Sequence, residues 1–199
     1  MTSELILASA SPIRAKMLRD ARVAFRALPA RVDEQAIRSA LEAEGISPRD
    51  LAAELAEQKA RKISALHPEA VVIGSDQVLE FRGCILSKAE TAEDLRRQLD
   101  ELCGRTHHLH AAAVICEAGR PSWRHVASVE LMMRRMSPAW LDDYVTRNWS
   151  EIRHCVGGYM LEGEGIRLFA RLRGDWFSAL GMPLVELLDH LARRGVIPS

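Results

Sequence analysis

The order of apolar patterns along the chain limits the fold more than any single motif does. Strand-like runs and helix-like periodicity alternate at first: a strand near 5–8, a helix from Pro12, a strand near 25–28, and helices near 34–44 and 48–66. A buried strand with the sequence "AVVIGSDQVLE" and a short hairpin around Gly83 follow. After a helix near 92–102 come two long strand-like runs, at 107–119 and 122–136. Alternation followed by long strands predicts an α/β protein with a mixed, twisted sheet and flanking helices.

Length and charge narrow the classes of function. The chain has 199 residues, of which 48% are hydrophobic and 27% charged, and we expect one folded domain over 1–199. Lysine plus arginine equals aspartate plus glutamate at 27 each, so no overall basic field exists to attract nucleic acid or an acidic membrane. The four cysteines form no C-x-x-C pair, and no apolar segment is long enough to span a membrane. We therefore expect a cytoplasmic protein that binds neither nucleic acid nor membranes.

The segment "LASASPIRAKML" predicts a strand, a tight turn and the start of a helix. Ser11 has the character of a helix N-cap and Pro12 of a first helical residue. The free N–H groups of a first helical turn attract anions, and Ser9, Ser11 and Arg14 would add hydroxyls and a guanidinium at the same place. An ordinary capped helix with a surface arginine explains the same residues, so the turn alone leaves a phosphate site undecided.

Lys59 and Asp76 are charged residues at positions where a core residue is expected. Lys59 continues an apolar stripe of Leu51, Leu55 and Ile63, so it points inward or along the lip of a cleft, unless its amine reaches out to water. Asp76 follows the buried run from Val71, and we expect it at a strand's end, where ligands of α/β sheets bind. A metal or catalytic role for Asp76 is favoured over a turn-forming aspartate.

Other polar residues allow simpler explanations. Glu34, which follows Asp33, could belong to an acidic first helical turn, and Lys88 could be a solvated lysine. His108 and His110 share one face of a strand, but without a third ligand of recognisable spacing a hydrogen-bonded or surface pair is favoured over zinc.

Standard nucleophile and phosphate motifs are missing from the sequence. No G-x-S-x-G elbow supports serine catalysis, and no G-x-G-x-x-G or G-x-x-x-x-G-K-S/T motif is present.

Eight segments, taken in order, resemble the Maf family of nucleotide pyrophosphatases. They are "LASASPIRAKML", "DE" at 33–34, "LAEQKA", "VIGSDQVL", "ILSKAE", "LCGRTHHLH", "VGGYMLEGEG" and "GMPLVEL". The resemblance implies an inosine-triphosphatase-like α/β fold with two lobes around a cleft and, in many members, a homodimer. It also implies hydrolysis of nucleoside triphosphates, including modified ones, to the monophosphate and pyrophosphate with a divalent metal, Mg²⁺ or Mn²⁺.

The resemblance also assigns site residues. It places the active-site aspartate at Asp76, its acidic partner and fellow metal ligand at Glu34, and phosphate-binding cations at Arg14, Lys59 and Lys88, beside the serine turn with Ser9 and Ser11. Asp76 would also help to deprotonate the attacking water, and the cations would neutralise the leaving pyrophosphate.

Several positions depart from the commonest family pattern. Ile13 replaces an arginine, Ser87 and Ala89 replace glycine and proline around Lys88, and Ala111 replaces a threonine. A catalytically weak or silent nucleotide-binding regulator is therefore one alternative, and a phosphatase or phosphoryl transferase is another.

Two further positions bear on the nucleotide base. In the family branch of dTTP/UTP pyrophosphatases, threonine and glutamine occupy the positions of Gln77 and Glu162. The residues of this sequence at the two positions instead resemble those of the branch associated with 7-methyl-GTP. The Glu162 carboxylate only accepts hydrogen bonds, which suits the N–H donors of a guanine edge. We therefore expect Gln77 and Glu162 to contact the substrate.

Overall fold

The computed structural model describes residues 4–198, so residues 1–3 and 199 of the expected domain lie outside the described residues. The helices and strands, in chain order, are β1 (Leu5–Leu7), α1 (Pro12–Asp20), β2 (Arg26–Ala27), α2 (Glu34–Ala43), α3 (Pro48–Leu66), β3 (Val71–Phe81), β4 (Cys84–Leu86), α4 (Ala92–Leu102), β5 (Thr106–Glu117), β6 (Arg120–Met133), α5 (Pro138–Ile152), β7 (Phe169–Arg173), α6 (Trp176–Ala179) and α7 (Leu184–Arg193). None of the helices in 4–198 is long and apolar enough to cross a membrane.

The strands form one mixed sheet of seven, which confirms the predicted α/β class. Their order is β2-β1-β3-β5-β6-β7, and β4 pairs with the far end of β3. The pairings among β2, β1 and β3 are parallel, as expected where helices connect the strands, whereas β3, β5, β6 and β7 pair antiparallel. Helices flank this sheet, so the strand–helix alternation and the later long strands are both explained by one architecture.

Serine and threonine caps fix the starts of four helices. Ser11, Ser47, Thr91 and Ser137 each accept a hydrogen bond from a backbone N–H three residues later. Proline follows the serine in three of these helices, where its missing N–H costs nothing. The predicted bounds 48–66 and 92–102 match α3 and α4, because these local signals decide where a helix begins.

Three apolar clusters divide the molecule into two lobes. In the first lobe, one cluster around Leu55 and Val72 and another around Leu18 and Leu187 fill the two faces of the sheet. The second lobe has a core of side chains from α4, α5 and the far parts of β3, β5 and β6. The three long strands contribute residues to both lobes, so the predicted cleft would lie across the sheet between the clusters.

Asp76 lies in the middle of β3, which corrects the expectation that it ends a strand. Beyond Asp76 the strand continues to Phe81, pairing with β4 and β5. The strand that ends near this level is β1, whose parallel pairing with β3 stops at Leu7 and Ile73. The opening beside Asp76 therefore arises because its neighbour is shorter, a property that the sequence of β3 does not contain.

Gly74 allows α3 to pack closely on β3. A Cβ atom at Gly74 would lie 2.0 Å from the carbonyl oxygen of Ala56 and 2.8 Å from Cβ of Ala60. Only glycine fits a backbone approach this close. The same helix carries Lys59, so this contact places the lysine directly against the Asp76 side of the strand.

Candidate active site

The serine turn keeps the donors that the sequence predicted. Ser11 caps α1 by accepting from the backbone N–H of Arg14 at 3.5 Å, and Ser9 Oγ accepts from the N–H of Ser11 at 3.2 Å. Among residues 4–198, the N–H groups of Ala10 and Ile13 have no protein acceptor. Unpaired donors at a helix start are suited to an anion.

Arg14 is buried and not a surface residue. Its Nε donates to the carbonyl oxygen of Gly181 at 2.9 Å, and its Nη1 donates to that of Ser75 at 2.8 Å and to Ser9 Oγ at 3.3 Å. Burial lowers the pKa of Arg14, while the charges of Asp76 and Glu34 oppose that shift. Arg14 thus ties the turn to β3 and to the segment after α6.

One nitrogen atom of the Arg14 guanidinium is available to a ligand. Its Nη2 has no acceptor among the residues that the structure describes. The predicted phosphate contact of Arg14 therefore depends on Nη2, and the tie to Gly181 is a structural role that the sequence did not indicate.

Lys59 joins the two predicted acidic residues. Its Nζ lies 2.5 Å from Asp76 Oδ1 and 2.8 Å from Glu34 Oε1. The Lys59 and Asp76 side chains are only 10% and 9% exposed, whereas that of Glu34 is 50% exposed. The amine of Lys59 therefore stays on the carboxylates and does not extend to water.

Asp33 and Glu34 have separate roles. Asp33 is the N-cap of α2, accepting from the N–H of Ala36 at 3.0 Å, so Glu34 is free to reach Lys59. Burial by itself raises the pKa of Glu34, but the charge and hydrogen bond of Lys59, with the charges of Lys88 and Arg14, lower it overall. Lys59 therefore contacts this carboxylate directly, and the charges of two further cations also act on it.

Lys88 and Glu162 both lie on exposed segments. Lys88 belongs to the loop between β4 and α4, and its charge acts on Glu34. Burial raises the pKa of Cys155, Glu162 raises it further, and Lys88 opposes both effects. The charge of Lys88 thus acts on Glu34 and on Cys155, and Glu162 acts on the same cysteine.

One of the two polar groups of the Gln77 side chain is used in hydrogen bonds within the protein. Its Nε2 donates to the carbonyl oxygens of Ser178 and Ala179, both at 3.1 Å. These bonds hold β3 against α6 and leave Oε1 of Gln77 for a ligand. The predicted substrate contact therefore remains a prediction, restricted to an acceptor atom.

Of the paired histidines of β5, His110 is held by hydrogen bonds and His108 stacks on it. His110 Nδ1 lies 2.8 Å from Ser128 Oγ and its Nε2 lies 2.6 Å from Glu80 Oε2, while the His108 ring stacks on that of His110. Within residues 4–198 no group of three or more histidine, cysteine, aspartate or glutamate side chains could hold a metal ion. The structure agrees with the hydrogen-bonded alternative.

Fold and site together define a class: an α/β protein in which a helix-start turn with unpaired backbone donors lies beside a cluster of lysine and carboxylate side chains. The chain belongs to the Maf family, because the family model described as "Maf-like protein" matches residues 4–194. This match confirms the resemblance found in the eight sequence segments.

Similar proteins cover the whole chain. The chain is 55% identical over 199 residues to a protein of Ruegeria pomeroyi named nucleoside triphosphate pyrophosphatase, with 100% of both chains covered. It is 46% identical over 191 residues to a protein of the same name from Caulobacter vibrioides, with 96% of each covered. It is also 41% identical over 197 residues to the 7-methyl-GTP pyrophosphatase of Mesorhizobium japonicum, with 99% of each covered.

Proposed function

We propose that the protein is a nucleoside triphosphate pyrophosphatase, a hydrolase that releases the nucleoside monophosphate and pyrophosphate. The observation that carries the proposal is the ammonium of Lys59 held between Asp76 at 2.5 Å and Glu34 at 2.8 Å, in a cleft with unpaired donors. The names of the Ruegeria and Caulobacter relatives support the same activity.

The cations and donors of the cleft account for binding of a triphosphate. Its oxygens need several positive groups, which Lys59, Lys88 and Nη2 of Arg14 supply together with the N–H groups of the serine turn. We assign Lys88 to the leaving pyrophosphate, because it is exposed and its charge acts on the Glu34 carboxylate by lowering its pKa. Ser9 and Ser11 hold the shape of the turn through their hydroxyls.

Asp76 is the proton acceptor in the proposed reaction. Its Oδ1 is fixed by Lys59, while its Oδ2 receives no hydrogen bond from residues 4–198. Asp76 takes a proton from water as the water oxygen bonds to the α-phosphorus, and the bond from that phosphorus to the bridging oxygen breaks. Pyrophosphate then leaves with the bonding electron pair, which the cations stabilise.

The residues present are compatible with a divalent metal. Mg²⁺ is commonly held by one or two carboxylates, with phosphate oxygens and water completing its shell. Asp76 and the half-exposed Glu34 provide such carboxylates, and Oδ2 of Asp76 is available. A bound Mg²⁺ or Mn²⁺ would supply charge neutralisation for the triphosphate. We therefore propose Glu34 and Asp76 as its ligands.

The base preference is a finer proposal that depends on Glu162. Its carboxylate is exposed in the turn before Glu164 and has no hydrogen-bonding partner among the described residues. A carboxylate can accept from both N–H groups of a guanine edge, whereas a pyrimidine keto oxygen would face a second acceptor. Together with the name of the Mesorhizobium relative, this favours a guanine-type or 7-methylguanine triphosphate. A homodimer and a cytoplasmic location also remain predictions.

Product analysis tests the proposed function. The protein is incubated with Mg²⁺ or Mn²⁺ and a panel of modified and unmodified nucleoside triphosphates. The monophosphate, pyrophosphate and orthophosphate released are then quantified. Equal amounts of monophosphate and pyrophosphate are expected. Orthophosphate as the first product would identify a phosphatase, and binding without turnover would identify a regulator, the alternative that the loss of a cation at Ile13 permits.

A further inference from the structure

A hydrogen bond connects the segment that carries Glu34 with the segment that carries Lys88. Nη1 of Arg38 donates to Oγ of Ser87 at 2.8 Å. Arg38 lies on α2 four residues after Glu34, so the two share one face of the helix. Ser87 directly precedes Lys88. The bond therefore joins two positions adjacent to proposed site residues.

The two partners belong to different lobes. Ile37 and Leu41, which flank Arg38 on α2, pack on the first-lobe cluster that contains Leu51. Leu86 and Ala89, which flank Ser87 and Lys88, pack on the second-lobe cluster. The bond between Arg38 and Ser87 thus links a helix that packs on the first lobe with a loop that packs on the second. Ile85 of β4, two residues before Ser87, also contacts the first-lobe cluster.

Arg38 and Ser87 each have a further contact within their own lobe. Gln98 of α4 donates from Nε2 to the carbonyl oxygen of Ser87 at 3.1 Å, which ties the loop to the second lobe. The Arg38 side chain is only 19% exposed, and its Nε lies 3.7 Å from Oε1 of Glu42 on the same helix. A displacement of α2 would therefore be transmitted to the loop.

We propose that Arg38 and Ser87 are positioning residues that hold Lys88 on the side of α2 that carries Glu34, where Lys88 meets the leaving pyrophosphate. This inference depends on the proposed function of the site. The hydroxyl of Ser87 is the essential acceptor, because neither alanine nor glycine at that position could receive the arginine's hydrogen bond. Without the bond, the loop would keep the contact with Gln98 and the packing of Leu86 and Ala89, but it would lose its tie to α2 and hold Lys88 less firmly.

The test measures competitive inhibition by inorganic pyrophosphate and kcat/KM for the best triphosphate. Ser87→Ala and Arg38→Ala are each expected to raise the inhibition constant of pyrophosphate and lower kcat/KM by about 3- to 10-fold, the range for one lost hydrogen bond. Ser87→Thr, which keeps the hydroxyl, should restore both values. Arg49→Ala is the matched control. Arg49 also donates to a serine hydroxyl, Ser128 Oγ, at a distance of 3.1 Å, and this pair lies away from Glu34 and Lys88.

The decisive comparison is made in a Lys88→Ala background. If Ser87 acts through Lys88, adding Ser87→Ala to Lys88→Ala should cause no further loss. The proposal would be overturned if Ser87→Ala lowered kcat/KM by the same factor in the Lys88→Ala background as in the unaltered protein. It would also be overturned if Ser87→Ala and Arg38→Ala had effects equal to those of Arg49→Ala.

A direct binding measurement separates this proposal from the proposed function. If the unaltered protein hydrolysed no triphosphate, the proposed function would fail, and a calorimetric titration with pyrophosphate would decide the positioning role. Weaker binding in Ser87→Ala but not in Arg49→Ala would support it, and equal binding would refute it.

Discussion

Replacing Asp76 with asparagine should abolish turnover while the protein stays folded. The amide is nearly the same size as the carboxylate, and its oxygen can still accept from Lys59, which lies 2.5 Å from Oδ1 of Asp76. The negative charge that would bind a metal and accept a proton is lost. Loss of a general base alone lowers kcat by at least ~100-fold.

The expected loss of stability is small by comparison. Lys59 keeps its contact with Glu34 at 2.8 Å, so its charge remains partly compensated after the substitution. Converting a charged hydrogen bond into a neutral one costs about 1 to 2 kcal/mol. For a chain of this size that lowers Tm by roughly 2 to 8 °C. Because domains have about 5 to 15 kcal/mol of stability, nearly all molecules would still be folded.

Glu57→Gln provides the matched control. Glu57 lies on the same helix as Lys59 and is equally buried, but it pairs with Arg61 at 2.7 Å and with Arg124. This variant should lose comparable stability and keep kcat within about 3-fold, as expected for a pair away from the reacting atoms. Thermal melts and steady-state kinetics measure both quantities. An Asp76→Asn protein with near-normal kcat and a normal melt would refute the assignment.

Three further predictions concern specificity, packing and pH. Glu162→Gln should shift the ratio of kcat/KM for 7-methyl-GTP and GTP over UTP and dTTP towards the pyrimidines by about 5-fold or more, and unchanged ratios would remove the argument for base reading. Gly74→Ala should destabilise the protein by at least about 1 to 3 kcal/mol in urea unfolding, because a Cβ would meet the Ala56 carbonyl oxygen at 2.0 Å. Burial lowers the pKa of His107 from 6.5 to about 4, so the folded state binds this proton more weakly than the unfolded state does. Stability should therefore fall by about 2 kcal/mol between pH 7 and 5, and His107→Gln should flatten that dependence in melts across this range.

Local signals made the helices and the lysine predictable. The serine–proline starts identify α1 and α3 from neighbouring residues alone. The apolar stripe through Leu55 placed Lys59 on the inner face of its helix, because helical spacing decides which side a residue faces.

Contacts between residues that are distant along the chain could not be predicted from the sequence. The two backbone acceptors of the Arg14 side chain lie 61 and 167 positions away, at Ser75 and Gly181, so no spacing rule could show that the arginine is buried. The position of Asp76 within its strand was missed because the opening beside it depends on where β1 stops. Ser87 was noted only as a departure from the family's glycine, and its bond to Arg38 becomes visible only when both lobes are in place.

The central claim is that water attacks the α-phosphorus of a nucleoside triphosphate in this cleft. Hydrolysis in water enriched in ¹⁸O, followed by mass spectrometry of the products, tests it directly. The account predicts that one ¹⁸O atom enters the nucleoside monophosphate and that the pyrophosphate stays unlabelled. Label in pyrophosphate or in orthophosphate would contradict it, because the attacked phosphorus would then be the β or the γ atom.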